Sequence, residues 1–116
     1  MGYWGLEISD NDSYADIYGI FYELYNNGMS VAEVSSKLID DYQEMINDVD
    51  EGNNFWFALA KAQWECKKLD PMIYIKVKDI IETNKDLEVW RDLDADEDDI
   101  KERGIILHTF LEEISA

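Results

Sequence analysis

The stretch FWFALAKAQWECKKL, residues 55–69, constrains the fold more than any other. It is apolar on nearly every side of a helical wheel, and a helix of that kind needs neighbours all round it. A central helix over about 54–68 is therefore expected, with the rest of the chain wrapped about it. At 116 residues the chain fits one domain, 1–116, and can bury a real core.

The flanking segments read as the wrapping. Tyr14, Ile17, Tyr18, Phe21, Leu24 and Tyr25 follow helical spacing over about 13–26, with Asp12 or Ser13 as the cap and Gly28 beyond the end. Ser30 and Glu33 form a capping box for a helix over about 31–48, whose apolar face holds Val31, Val34, Leu38, Tyr42, Met45 and Val49. DVDEGNN at 48–54 breaks it. Asp70 and Pro71 open a helix over about 71–84. A short helical piece around 86–92 carries Leu87 and Trp90, and a last helix runs over about 96–114. Gly104 inside it costs about 1 kcal/mol against alanine, so a close contact with a neighbouring backbone is expected there. No segment alternates as a strand does. The fold class is all-α, a single compact bundle of five to six helices.

The net charge is −17. Residues 1–54 hold twelve acids against Lys37 alone, whereas 55–116 hold fifteen acids against nine bases. This opposes binding to nucleic acid or to an anionic membrane and favours a basic partner. Two acidic stretches stand out: Asp94, Asp96, Glu97, Asp98 and Asp99, and the set Asp40, Asp41, Glu44 and Asp48. Residues 92–103, DLDADEDDIKER, invite a calcium-loop reading. In either register the turn glycine and the closing glutamate are missing. A solvated loop whose last acids begin a helix and a surface tolerated for a basic partner both remain open. Tyr22 falls at the edge of the first helix's apolar stripe and is a candidate partner anchor.

Other chemistry is sparse. His108 stands alone at the edge of an apolar face, with no ligand spacing for a metal. Cys66, the single cysteine, reads as a small apolar filler. No nucleophile is paired with a base, and there is no glycine-rich phosphate loop. No cofactor, metal or catalytic activity is expected. No apolar stretch reaches the roughly 18 residues of a membrane span. The opening MGYWGLEISD lacks the basic start and apolar run of a signal peptide, so the cytoplasm is the expected compartment.

WGLEISDNDSYAD at 4–16 and FWFALAKAQWECKKL together resemble a widespread family of small bacterial proteins of immunity-protein type. Trp4, Gly5, Asn11, Asp12, Ala15 and Asp16 carry the opening signature. Trp56, Gln63 and Trp64 carry that of the central helix. DLEVW at 86–90, ending in Trp90, and Arg103 before an apolar final helix fit the remainder. Lys67 and Lys68 depart from the pattern, which usually has a glycine there, and Leu6 and Glu7 depart from its small lead-in residues. From the residues themselves, Trp4 is expected to pack the lead-in onto the bundle, Asp12 to cap a helix, and Trp56 and Trp64 to pack in the core. The resemblance implies a stable helical fold without catalysis and a cognate protein toxin as partner. Many such toxins are basic nucleases of the kind found in contact-dependent growth inhibition. An acidic DNA-mimic inhibitor of anti-restriction or anti-CRISPR type shares the acidity without requiring these motifs.

Overall fold

Phe57, Ala58, Leu59 and Ala60 are all 0% exposed. Four consecutive residues of one helix point in four directions, so neighbours must cover that helix on every side. The computed structural model describes residues 11–48 and 51–115. Their elements are α1 (Asp12–Asn26), α2 (Val31–Asp41), α3 (Gln43–Ile46), α4 (Gly52–Glu65), α5 (Pro71–Glu82), α6 (Lys85–Asp92) and α7 (Glu97–Ser115). Helix α4 is the hub, packed against α1, α3, α5 and α7. Helix α2 lies on α1, and α6 lies against α5 and α7. Among the described residues the secondary structure is all helical, and no helix is long and apolar enough to cross a membrane.

Among the described residues the count is seven helices, against an expected five to six, because the segment 31–48 is two helices. Helix α2 stops at Tyr42 (φ −114°, ψ 33°), and α3 restarts at Gln43. The apolar positions keep helical spacing through the break, so the pattern conceals a bend that lays α3 against α4. Position 49 of the expected face lies outside the described residues. Helix α1 is capped one residue earlier than expected. Asn11 is extended and its Oδ1 accepts from the Tyr14 amide (3.0 Å). Asp12 instead sits in the first turn, and the Ser13 hydroxyl donates to Glu51 Oε2 (2.8 Å). Gly104 meets no neighbouring backbone: a Cβ there would find only Leu87 Cδ1, at 3.5 Å.

The other caps match the sequence. Ser30 and Glu33 make both bonds of the capping box, and the Ser30 amide holds the Glu33 carboxyl below its usual pKa. Asp70 caps α5 through the Met72 amide (2.8 Å). Three helix ends close with a left-handed residue whose amide, with the next one, returns to the last turn. Gly28 does this after α1 (φ 106°), Lys67 after α4 (φ 59°) and Asp94 after α6 (φ 62°). After α4 the Lys67 amide reaches the Trp64 carbonyl (2.9 Å) and the Lys68 amide reaches the Gln63 carbonyl (2.8 Å). A side chain in this conformation costs about 1 kcal/mol, which glycine avoids. Lys67→Gly is therefore expected to stabilise the fold by about 1 kcal/mol, read as a raised thermal unfolding midpoint. A lowered midpoint would contradict this account of the turn.

Candidate partner-binding surface

Helices α6 and α7, which the segment 93–96 joins, are tied together by a buried ion pair. Arg103 Nε donates to Asp86 Oδ2 at 2.9 Å, and both side chains are 2% exposed. The Arg103 guanidinium lies 5.1 Å from the centre of the half-buried Trp90 ring. Arg103 falls in register with the buried Ile100 and Leu107 of α7, so its apolar face contains a charge that needs a partner. That periodicity is the sequence signal for the pair. Nothing local marks Asp86 as the partner.

This corner presents the first acidic stretch. Residues 92–103 are not one loop: they comprise the end of α6, a turn and the start of α7. Asp94 is the left-handed turn residue. The Asp96 carbonyl accepts the first α7 amide bond, from Ile100 (3.0 Å). Glu97, Asp98 and Asp99 occupy the first turn of α7, where carboxylates oppose the positive end of the helix dipole. Arg91 reaches Glu88 (2.8 Å) and Glu97 (3.9 Å). Among the described residues no group of three or more His, Cys, Asp or Glu side chains is arranged to hold a metal ion.

The second stretch sits across the break between α2 and α3. Asp40, Asp41, Glu44 and Asp48 are all exposed. Lys37 pairs with Asp41 (3.0 Å), and Asp48 Oδ1 accepts from the Glu51 amide (3.0 Å) ahead of α4. Asp40 and Glu44 pair with no described residue. Asp48 is thus a turn-forming residue, while Asp40 and Glu44 make no hydrogen bond or ion pair among the described residues.

Tyr22 is half-buried and its hydroxyl is committed. Glu65 Oε1 accepts from Tyr22 (2.8 Å) and Tyr18 (2.5 Å), and the Cys66 thiol approaches the Tyr22 oxygen at 3.9 Å. Tyr14 stacks on Tyr18, and Tyr22 meets Tyr25 edge-on. Burial, reinforced by the Glu65 carboxylate, pushes the Tyr18 phenol up to about 12 and raises Tyr22 further. Both hydroxyls are therefore donors at neutral pH, and what Tyr22 can offer a partner is ring surface.

The motif residues divide by job. Gln63 is 3% exposed and ties three elements together: its Nε2 donates to Ser35 Oγ (2.8 Å) and its Oε1 accepts from the Asp70 amide (3.0 Å). Trp56 and Trp64 pack against the core but stay half-buried, because the innermost positions of α4 go to Phe55, Phe57 and Leu59. Lys76 covers the Trp56 ring (5.3 Å) and Lys61 the Trp64 ring (4.8 Å). Asp12, Asp16 and His108 are exposed. Trp4 and Gly5 lie outside the described residues.

No protein-family model, curated protein or solved structure matches the chain.

Proposed function

We propose that this chain is an immunity protein that acts in the cytoplasm, binding a cognate secreted bacterial toxin and covering the toxin's basic nuclease surface with an acidic face. The supporting observation is exposed carboxylate without internal employment. Asp40, Glu44 and Asp98 are exposed and pair with no described residue, in a chain of net charge −17. A net charge of this size repels itself and weakens the fold. The carboxylates become favourable when a basic surface arrives, and they speed its arrival. A nuclease must hold phosphates and therefore presents such a surface. The reading assigns the chain no catalytic step, cofactor, nucleic-acid contact or membrane contact.

Association with the basic domain encoded by the adjacent toxin gene is expected to slow steeply as salt rises. Reversing Asp40 and Glu44 to lysine is expected to cut the low-salt on-rate by about tenfold or more and to flatten the salt dependence. Stopped-flow fluorescence of the four tryptophans follows the encounter. An on-rate independent of salt would remove the electrostatic basis of the proposal.

A further inference from the structure

Helix α2 does not close onto α4 and α5. Val34 and Leu38 enter the core, 0% and 1% exposed, while Ser35 meets α4 through its buried bond to Gln63. Because Gln63 also holds the Asp70 amide, one side chain fixes α2 to the α4–α5 corner at a set spacing. The space left between them is a groove of about 870 Å³. Val31 and Ile39 form one apolar wall, Leu69 and Ile73 the other, and Tyr25 lines it too, 37% exposed. Asp40 lines it as well, exposed and paired with no described residue, and the other charged lining residues are Asp70, which caps α5, and Lys68. Asp41 and Glu44 continue the acidic surface beyond it.

We infer that this groove seats a basic amphipathic helix of a partner protein, with apolar side chains in the groove and an arginine or lysine against Asp40. The identity of that partner as a toxin rests on the immunity reading; the chemistry of the groove does not. The volume lies within the range of roughly 300–1,000 Å³ typical of binding clefts, and apolar walls edged by a carboxylate match the two faces of a basic amphipathic helix. Asp40 supplies the charge complement, and the Tyr25 ring offers a face for a cation. The groove also decides between the two acidic stretches, since Asp40 borders an apolar seat whereas the 94–99 acids cap and begin helices.

Cys66 lines the groove, is half-buried and is the chain's only cysteine, so its reactivity reports occupancy. The full chain is treated with dithionitrobenzoate in the presence of a synthetic helical peptide bearing leucines along one face and arginines along its flanks. A counterpart peptide carries glutamates in place of the arginines. The arginine peptide is expected to slow Cys66 modification about tenfold when it occupies about 90% of sites, and the glutamate peptide to leave the rate unchanged. Asp40→Lys is expected to reverse that preference, a readout that loss of folding does not mimic. Ala32→Trp, at an exposed groove position, is expected to abolish protection, and Glu112→Lys, at an exposed position of α7 that does not line the groove, to preserve it. Equal protection by the two peptides, or none by either, would overturn the inference. So would a Glu112→Lys effect as large as that of Asp40→Lys, or concentration-dependent protection without peptide, which would assign the groove to a second copy of the chain. A toxin complex that survives Ala32→Trp would also overturn it while leaving the immunity reading intact.

Discussion

Asp86→Ala is expected to destabilise the fold by about 3–5 kcal/mol, because it removes the carboxylate that neutralises the Arg103 guanidinium at a site 2% exposed to solvent. Arg103→Met is expected to cost a similar amount by stranding Asp86. The double variant, Asp86→Leu with Arg103→Met, is expected to recover most of the loss. Taking two charges out of water consumes most of what their attraction returns, so the pair contributes little net stability while either partner alone is costly. Arg103→Lys does not substitute, since an ammonium group reproduces neither the planar contact with the Trp90 ring nor the Nε bond of 2.9 Å. Urea unfolding of the unmodified chain and the four variants provides the test. With total stability on the order of 5–15 kcal/mol, the single variants should show clearly lowered midpoints. A loss below about 1 kcal/mol for Asp86→Ala would mean that water reaches this corner.

Gly52→Ala is the second large effect, expected to cost about 2–3 kcal/mol although alanine is the better helix former. A Cβ at Gly52 would lie 2.5 Å from the Ile46 carbonyl oxygen and 3.3 Å from its carbon. Both atoms are backbone, so no rotamer change relieves the contact, and α3 has to move away from α4. The same substitution at Gly19 is expected to have the opposite sign. Gly19 is exposed in the middle of α1 with nothing within 4 Å, so alanine should gain about 0.5–1 kcal/mol from propensity alone. Thermal unfolding of the pair checks both signs. Stabilisation by Gly52→Ala would contradict the close approach of α3.

What the sequence reveals here is local. The hub helix follows from the unbroken apolar run at 55–69, and the caps at Ser30 and Asp70 follow from residues three or fewer positions away. Contacts between distant segments are hidden. Gly52 reads as part of a breaker, and its real constraint is the carbonyl of Ile46 on the previous helix. The break at Tyr42 is invisible because the apolar spacing continues through it. Asp86 and Arg103 are 17 residues apart, and one alone gives no hint of the other. The candidate surface divides in the same way. Composition identifies the excess of acid. It does not separate Asp94 in a left-handed turn, or Asp48 bonding the Glu51 amide, from Asp40 and Glu44, which pair with no described residue. Tyr22 is likewise legible as an edge residue, whereas its bond to Glu65 requires α1 and α4 to be brought together.

The most direct test of the immunity proposal is rescue from intoxication. The protein encoded by the reading frame immediately upstream is expressed with and without this chain, tagged on the upstream protein alone. The expected result is growth arrest by the upstream protein, relief of that arrest by this chain, and elution of the two together as a complex whose formation weakens with salt. Growth arrest that persists beside abundant folded chain, with no complex recovered, would contradict it.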